Sequence, residues 1–289
     1  MAYENFIPTV WNEGIERELS RLCVFAEDCN TRYEGSVKEK GEAVKILGVA
    51  RPTIRSLSRA EAAGDIAAPE EIEDTSALLY INQIRYFNYL VGDIDRAQAV
   101  CGLMDALGTE TSEALAEEID AYLAGFALDS AVKKLYKAAP KVVAGTPATG
   151  EKNVLHVLDE AVEELYKNDV HGNSELVVTV SPRFYTLMKQ SGLEKTTDNT
   201  GIFQNGRVGR YGGVTVKMSN NVKTGTTTAS GDTDHILIRT RRALAFAKPL
   251  THTEPYRPEK KFADAVKGFV LFDAKVVRPR EILDINVKY

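Results

Sequence analysis

The sequence predicts a mixed α+β protein with one long helix, one projecting hairpin and several long strands near its end. Three observations carry this prediction. Apolar residues between Thr109 and Ala139 recur at three- and four-residue steps, which is the period of an α-helix. Two segments rich in β-favouring residues, Val44–Leu57 and Leu78–Val91, flank an acidic, Ala-rich stretch. Val266–Val277 is apolar on both alternating faces, as in a strand covered on both sides.

The long helix is predicted to run from Thr109 to Ala139. Gly108 precedes it, Thr109 or Thr111 offers a cap, and Pro140 is a natural stop. Acidic residues are concentrated near its N-terminal end and basic residues near its C-terminal end, which complements the helix dipole. The pattern fits an ordinary core helix and equally a spine on which an elongated shell subunit is built.

The composition indicates a globular protein and gives no sign of tight binding to nucleic acid. The chain has 289 residues, 27% of them charged and 44% hydrophobic, with a net charge of -5. Tight nucleic-acid binders are usually basic. No apolar run approaches the roughly 20 residues that cross a bilayer, so we expect no membrane partner. The cysteines, Cys23, Cys29 and Cys101, are interpreted as free thiols in a reducing compartment.

Residues 1–35 are predicted to form an N-terminal arm. A helix over about Pro8–Phe25 would carry charged residues on one face and an apolar stripe on the other. The stripe contains Trp11, the only tryptophan, and therefore needs to be covered. Its members are Phe6, Ile7, Val10, Trp11, Ile15, Leu19 and Leu22. Packing on the protein's own core and packing on a neighbouring subunit both fit this pattern.

The hairpin in residues 36–92 has opposite charges on its first strand and its tip. A long two-stranded hairpin is marginal in water unless another surface covers it. Such asymmetry suits docking between copies of one molecule, since each copy supplies both signs. Together with Trp11, the candidate contact residues are Arg51, Arg55 and Arg59 on the basic side and Glu70, Glu71 and Glu73 on the acidic side. An ordinary solvated hairpin also explains the pattern.

The middle of the chain alternates between helices and strands after a linker at residues 144–150. The sequence predicts a helix over Glu151–Asn168, and then a strand over residues 175–180. Ser181 as N-cap and Pro182 at the first helical position start another helix, so Ser181 is not interpreted as a nucleophile.

The rest of the chain is predicted to be mostly extended. The glycines of residues 206–222 feed a strand at Val214–Met218, and their spacing does not match a dinucleotide loop. Residues 223–234 are predicted to be a flexible polar loop, followed by two strands around a basic turn. After Pro279, apolar residues alternate with polar ones to the end of the chain.

No constellation of catalytic, cofactor-binding or metal-binding residues emerges. Asp232, Asp234 and His235 are interpreted as a solvated turn, because they have no companion ligand nearby. His156, His171 and His252 are scattered outside any metal or nucleophile–base motif. We therefore predict that the protein is not an enzyme and uses no cofactor.

The order of segments resembles the major capsid proteins of tailed bacteriophages, which have the Hong Kong 97-type fold. The phrases that carry the resemblance are YFNYLVGDIDRAQA, ALAEEIDAYLAG, VVTVSPRFYTLMKQSG, NGRVGRYGGVTVKMSNNV, and ALAFAK followed by EPYRPEKKFADAVKGFVLFDAKVVRP. They span about residues 5–289 in the expected order.

The resemblance implies four parts of the subunit. These are an N-terminal arm (1–35), an extended loop (36–92), a peripheral domain with the spine helix (93–140 and 248–289) and an axial αβ domain (141–247). It implies copies in pentamers and hexamers that build an icosahedral procapsid, which expands around packaged double-stranded DNA bound without sequence specificity. The protein would be located in the virion capsid, which would be assembled in the cytoplasm of a bacterial host.

Further partners follow from the same resemblance. No long helical extension precedes the arm, so a separate scaffolding protein is expected, with a portal and possibly a decoration protein. Some relatives crosslink a Lys to an Asn between subunits. Lys38, Lys40 and Lys45 lie in the part of the chain where such a lysine would be expected, but no motif assigns the crosslink to any of them. Two other interpretations stay open: an encapsulin-like nanocompartment shell, and a soluble αβ enzyme with a mobile lid at residues 58–77.

Overall fold

Three β-sheets and three α-helices make up the described part of the computed structural model. The structure describes residues 23–32, 43–49, 54, 56, 74–92, 103–170, 172, 174–193, 208–227, 231–260 and 262–289. The helices are α1 (Leu103–Ala124), α2 (Val154–Lys167) and α3 (Pro182–Met188). Short 3-10 turns occur at Ala26–Asp28, Gly125–Leu128 and Pro279–Glu281, and a π-helical turn at Lys189–Leu193.

The strands divide into sheets of two, three and nine members. The two-stranded sheet is the hairpin of β1 (Ala43–Val49) and β2 (Asp74–Tyr80). The three-stranded sheet has β13 (Ala263–Val276) between β12 (Leu244–Tyr256) and β3 (Gln83–Gly92), all antiparallel. The nine-stranded sheet contains β4 (Lys133–Lys134), β5 (Lys141–Val143), β6 (Glu151–Asn153), β7 (Leu176–Val180), β8 (Val208–Tyr211), β9 (Val214–Met218), β10 (Lys223–Thr227), β11 (Gly231–Thr240) and β14 (Ile282–Lys288).

The prediction of one helix over Thr109–Ala139 is wrong at both ends. The helix begins at Leu103, so Thr109 and Thr111 lie inside it, and the Thr111 hydroxyl donates to Leu107 O at 2.6 Å. It ends at Ala124, and after a 3-10 turn the chain becomes extended at Asp129. Downstream, Leu135 N donates to Asp284 O at 2.8 Å. Pairing with β14 therefore overrides the helical period of the sequence.

The segment predicted as one strand over Leu78–Val91 is divided between two sheets. β2 pairs with β1, whereas β3 pairs with β13. The break lies at residues 81–82, where Asn82 N donates to the Asp273 carboxylate at 3.2 Å. The hairpin therefore grows directly out of an edge strand of the three-stranded sheet.

Two helices in the middle of the chain are capped by side chains, and the cap at Ser181 is the predicted one. The Asn153 side chain accepts from Leu155 N at 2.9 Å at the start of α2. Ser181 caps α3, with Phe184 N donating to its hydroxyl at 3.3 Å and Pro182 in the first turn. Both predicted helices are confirmed, as is the strand Val214–Met218.

The prediction of a flexible polar loop over residues 223–234 is wrong, because β10 pairs antiparallel with β11, from Lys223 opposite His235 to Thr227 opposite Gly231. The polar residues of β14 are not solvated: Asp284 and Asn286 are buried along with their apolar neighbours. β14 has β11 on one side and β4 and β5 on the other, so its polar groups bond inside the protein.

A close approach between Gly268 and Phe87 holds β3 against β13. The two residues are direct partners in the register, and a Cβ placed on Gly268 would lie 2.4 Å from Phe87 Cζ and 2.8 Å from His252 O. The Phe87 ring thus covers the backbone of the central strand, a pairing that stabilises glycine in sheets.

Replacing Gly268 with Ala should displace the Phe87 ring and lower the free energy of unfolding by about 1–3 kcal/mol, as overpacking does. Thermal or urea unfolding of the subunit measures this. Gly108→Ala is the matched control: it lies inside α1 with no atom within 4 Å of an added Cβ. That change should stabilise by about 0.5–1 kcal/mol. Equal stability of the Gly268 variant and wild type would contradict the role given to Phe87.

Candidate subunit interface

The base of the hairpin is fixed to the body of the subunit through one apolar face. Val44 and Ile46 of β1 and Leu79 of β2 are buried with Ile81, Ala245 and Ala247 in a small core of their own. Lys275 also donates to Leu78 O at 2.7 Å. The residues of the predicted charge asymmetry follow β1 and precede β2 in the sequence.

All the predicted inter-subunit contact residues lie outside the described residues. They are Trp11, Arg51, Arg55, Arg59, Glu70, Glu71 and Glu73. The same holds for the predicted helix over Pro8–Phe25 as far as residue 22, and for Lys38, Lys40 and Cys101. These assignments stay predictions. Lys45, in β1, is exposed.

A row of exposed apolar side chains continues from β2 into β3. Even-numbered positions face solvent from residue 78 to residue 90, and odd-numbered ones are buried or half-buried. We call the five large apolar members the exposed ribbon: Leu78, Tyr80, Ile84, Tyr86 and Leu90, which are 41–80% exposed. The sequence shows that this segment favours strand, but the face turned to solvent follows only from the register with β13.

The opposite side of the same sheet packs on α1. The rings of Tyr122 and Phe272 meet edge-on with centroids 5.5 Å apart, and the Arg85 side chain pairs with Glu118 at 3.2 Å. The Tyr122 hydroxyl donates to the Asp273 carboxylate at 2.6 Å. One side of the three-stranded sheet is therefore satisfied within the subunit, and Ile84, Tyr86 and Leu90 of the exposed ribbon lie on the other side.

Residues 23–30, which we call the anchor segment, are held by hydrogen bonds from several elements. Val24 N and Phe25 N donate to the two carboxylate oxygens of Asp120 on α1, at 2.7 and 3.0 Å. Asn30 N donates to Leu244 O at 2.9 Å, and Phe246 N donates to Asn30 O at 3.1 Å. The anchor segment therefore joins α1 to β12.

Buried charges strengthen this junction. Arg239 on β11 is fully buried, donates to Phe25 O at 2.9 Å, and lies 5.3 Å from the centroid of the Phe25 ring. Lys217 on β9 pairs with the buried carboxylate of Asp28 at 2.7 Å. A buried charge is tolerated only when partners compensate it, so the anchor segment and these strands fix one another.

Burial shifts the pKa values of the titrating groups in the anchor segment and of Asp120 beside it. It raises the pKa of Asp120 from 3.8 to about 6, although the backbone N–H groups of the anchor segment oppose the shift. Burial likewise raises the pKa of Cys23 to about 12 and that of Cys29 to about 11, so both thiols stay protonated at neutral pH. Asp120 is a contact that sequence reasoning missed, and its place between Ile119 and Leu123 in the buried stripe was the available signal.

Polar side chains on the nine-stranded sheet are paired with one another. His235 Nδ1 lies 2.7 Å from Asp284 Oδ2, both buried, and burial raises the pKa of Asp284. The Tyr289 hydroxyl donates to Asp234 at 2.8 Å and lies 2.8 Å from the Ser181 hydroxyl. Asp234 and His235 are thus part of the sheet, and the prediction of a solvated turn is wrong for them.

Within the described ranges, no three His, Cys, Asp or Glu side chains come together as a metal site requires. The helices of that part of the chain are too short or too polar to span a bilayer.

Solved structures with the same fold come from phages and from a virus-like particle. A structure from Mycobacterium phage Che8 is 27% identical, with a TM-score of 0.69 over 91% of this chain and 90% of that chain. The capsid structure of cyanophage P-SCSP1u is 15% identical, with a TM-score of 0.64 over 92% and 88%. A virus-like particle from Pyrococcus furiosus is 10% identical, with a TM-score of 0.56 over 96% and 98%. The fold is the Hong Kong 97-type capsid fold.

The family follows from the sequence itself. The family model for phage capsid protein matches residues 92–285, about two thirds of the chain. The chain therefore belongs to the phage capsid protein family, and it is a structural capsid protein. A search of curated proteins finds no match to the sequence.

The raised pKa of Asp120 makes a prediction about pH. Asp120 binds its proton more tightly in the folded state, where its pKa is about 6, than in the unfolded state, where its pKa is near 3.8. The contribution of this group to stability therefore falls as pH rises through about 4–6 and is constant above. Relative to Asp120→Asn, wild type should lose about 1 kcal/mol of unfolding free energy between pH 5 and pH 7.5. Urea unfolding of both proteins at the two pH values gives this difference, and a pH-independent difference would contradict it.

Proposed function

We propose that this chain is the major capsid protein of a tailed bacteriophage, assembling from pentamers and hexamers into an icosahedral procapsid that expands around packaged double-stranded DNA. The observation that carries the proposal is the family match over residues 92–285, combined with the Hong Kong 97-type fold. A net charge of -5 is consistent with enclosing DNA without sequence-specific binding. The virion capsid, assembled in the cytoplasm of a bacterial host, is the proposed location.

We propose the four-part division as well: N-terminal arm 1–35, extended loop 36–92, peripheral domain 93–140 with 248–289, and axial domain 141–247. Packing of α1 on β13, where the rings of Tyr122 and Phe272 meet, supports the peripheral grouping. β14 belongs to the peripheral domain by chain position but pairs with β11 of the axial domain. The two proposed domains therefore share the nine-stranded sheet.

A virion head implies partners beyond copies of the chain. We propose a separate scaffolding protein and a portal, with a decoration protein as a further possible component. A nanocompartment shell of the encapsulin type remains a second candidate, favoured only by the shared fold of the virus-like particle from Pyrococcus furiosus. Electron microscopy of particle contents distinguishes the two, since the proposed phage head holds packaged DNA and a nanocompartment holds protein.

The hairpin is proposed to dock between neighbouring copies through opposite charges. The strands that flank the charged segment are held by the small apolar core of β1, β2 and β12, which supports this proposal. Arg51, Arg55 and Arg59 would meet Glu70, Glu71 and Glu73 of another copy. Charge pairing of this kind sets register and speeds association more than it adds affinity.

A charge exchange tests the docking. Changing Glu70, Glu71 and Glu73 to Lys should block or weaken shell formation, because six like charges then face one another. Changing only Arg51, Arg55 and Arg59 to Glu should also block or weaken shell formation. A chain with both sets exchanged should assemble again. Negative-stain electron microscopy and light scattering of the expressed protein, with any scaffold supplied, report the result.

The charge-matched control changes three exposed glutamates on α1 and α2 to Lys, namely Glu113, Glu117 and Glu163. It should form normal shells. Deleting residues 59–73 should also prevent or weaken shells while the subunit stays folded by circular dichroism. A normal, equally stable shell from that deletion would refute the docking role, and a wild-type chain that stays monomeric at all concentrations would refute the proposed function.

A further inference from the structure

We propose that Asp273 is a positioning residue: its carboxylate sets the orientation of the β1–β2 hairpin relative to α1, and shell assembly depends on that orientation. The carboxylate joins Asn82, where the chain passes from the hairpin into β3, to Tyr122 on α1. The first part of the inference concerns the single subunit, and only the step from orientation to assembly rests on the proposed function.

Backbone pairing between β13 and the strand that follows the hairpin stops just before Asp273. The register of β13 with β3 ends at Phe272 opposite Gln83. One step further, the register would place Asn82 opposite Asp273, but there Asn82 N donates to Asp273 Oδ2 at 3.2 Å. A side-chain oxygen therefore takes the place of a backbone carbonyl at the first position beyond the sheet.

The rest of the junction between the hairpin and β13 is also made by side chains. Lys275 Nζ donates to Leu78 O at 2.7 Å, and within the described ranges no backbone ladder joins β2 to β13. The apolar face of the hairpin packs on the small side chains of Ala245 and Ala247. Apolar contacts are non-directional, so the angle of the hairpin depends on these few side-chain hydrogen bonds.

The other oxygen of the Asp273 carboxylate is held from α1. Asp273 Oδ1 accepts from the Tyr122 hydroxyl at 2.6 Å and from Ala274 N at 2.7 Å. Burial, and after it the hydrogen bond to Asp273, raises the pKa of Tyr122, so this hydroxyl stays a donor at neutral pH. The Tyr122 ring packs edge-on against Phe272 with centroids 5.5 Å apart. α1 thus fixes the direction in which Oδ2 is presented to Asn82.

A carboxylate suits this site because it accepts hydrogen bonds on both oxygens and donates none. An asparagine of the same shape would keep its oxygen for Tyr122 and Ala274, but its NH2 group would face the N–H of Asn82. Two donors would then oppose each other where residue 273 is only 8% exposed. The change Asp273→Asn therefore removes the contact to the hairpin and spares the contact to α1.

Hydrogen–deuterium exchange of the full-length chain, read by mass spectrometry with fragmentation, tests the coupling. Asp273→Asn should speed exchange of the Asn82 amide about tenfold, as expected when a hydrogen bond to a charged group is lost. Tyr122→Phe should speed it as well, because the carboxylate then loses its orientation although Oδ2 is untouched. Combining the two changes should add little. Unchanged exchange at Asn82 in Tyr122→Phe would overturn the positioning role.

The orientation itself is measured by the distance between spin labels on unnatural amino acids at Lys45 of β1 and Ala121 of α1, both exposed. Asp273→Asn and Tyr122→Phe should each broaden the distribution of this distance in the subunit. Each should also lower the yield of shells in negative-stain electron microscopy. Circular dichroism checks folding, and if Asp273→Asn does not fold, Tyr122→Phe decides, since it keeps the ring packing.

Asp159→Asn and Tyr211→Phe are the matched controls, because the Tyr211 hydroxyl donates to Asp159 Oδ2 at 3.3 Å between β8 and α2. They should change neither the exchange of the Asn82 amide, nor the label distance, nor the shells. Normal shells from variants with a broadened distance would overturn the dependence of assembly on orientation while the proposed function stands. Absence of shells from wild type would overturn the proposed function, and the exchange measurements would still decide the coupling.

Discussion

The position of β13 between two antiparallel partners is the constraint on which the outer surface of this subunit depends. Its register with β12 runs from Ala265 to Val276, and its register with β3 from Ala263 to Phe272. Because side chains alternate along a strand, this register decides which residues of β3 face α1 and which face solvent. A shift by one residue would bury the exposed ribbon and expose Phe87, so the apolar surface and the packing on α1 are set together.

The anchor segment imposes a second constraint, this one electrostatic. Asp120 and Arg239 are buried, and the backbone of residues 24–25 supplies partners to both. Moving the segment would leave a carboxylate and a guanidinium without compensation, which is far more costly than losing an exposed ion pair. The cost of displacement, rather than a large gain on docking, is what fixes the anchor segment on the body of the subunit.

Sequence reasoning found the elements whose signals are local. Ser181 followed by Pro182 and the basic turn at Arg241 and Arg242 both act within one turn of chain, and the structure follows both. It failed where a distant strand decides. The helical period of Val132 and Leu135 continues that of α1, yet pairing with β14 extends the chain there. The role of Asp120 could not be inferred either, because its partners lie 95–96 residues away.

The exposed ribbon and the charges of the hairpin have different physical uses in the proposed shell. Five side chains that are 41–80% exposed leave roughly 500 Å² of apolar surface. Such a patch is smaller than the ~800 Å² that each partner buries in a stable pairwise complex, so one such contact alone would be weak. Closed assemblies add many weak contacts per subunit, and weakness lets misplaced subunits leave before the shell closes. Salt does not screen apolar contacts, whereas interactions between solvent-exposed charges are screened within about 8–10 Å at physiological ionic strength. Charges on the hairpin thus suit the selection of register at close approach, and the apolar ribbon suits holding the finished shell together.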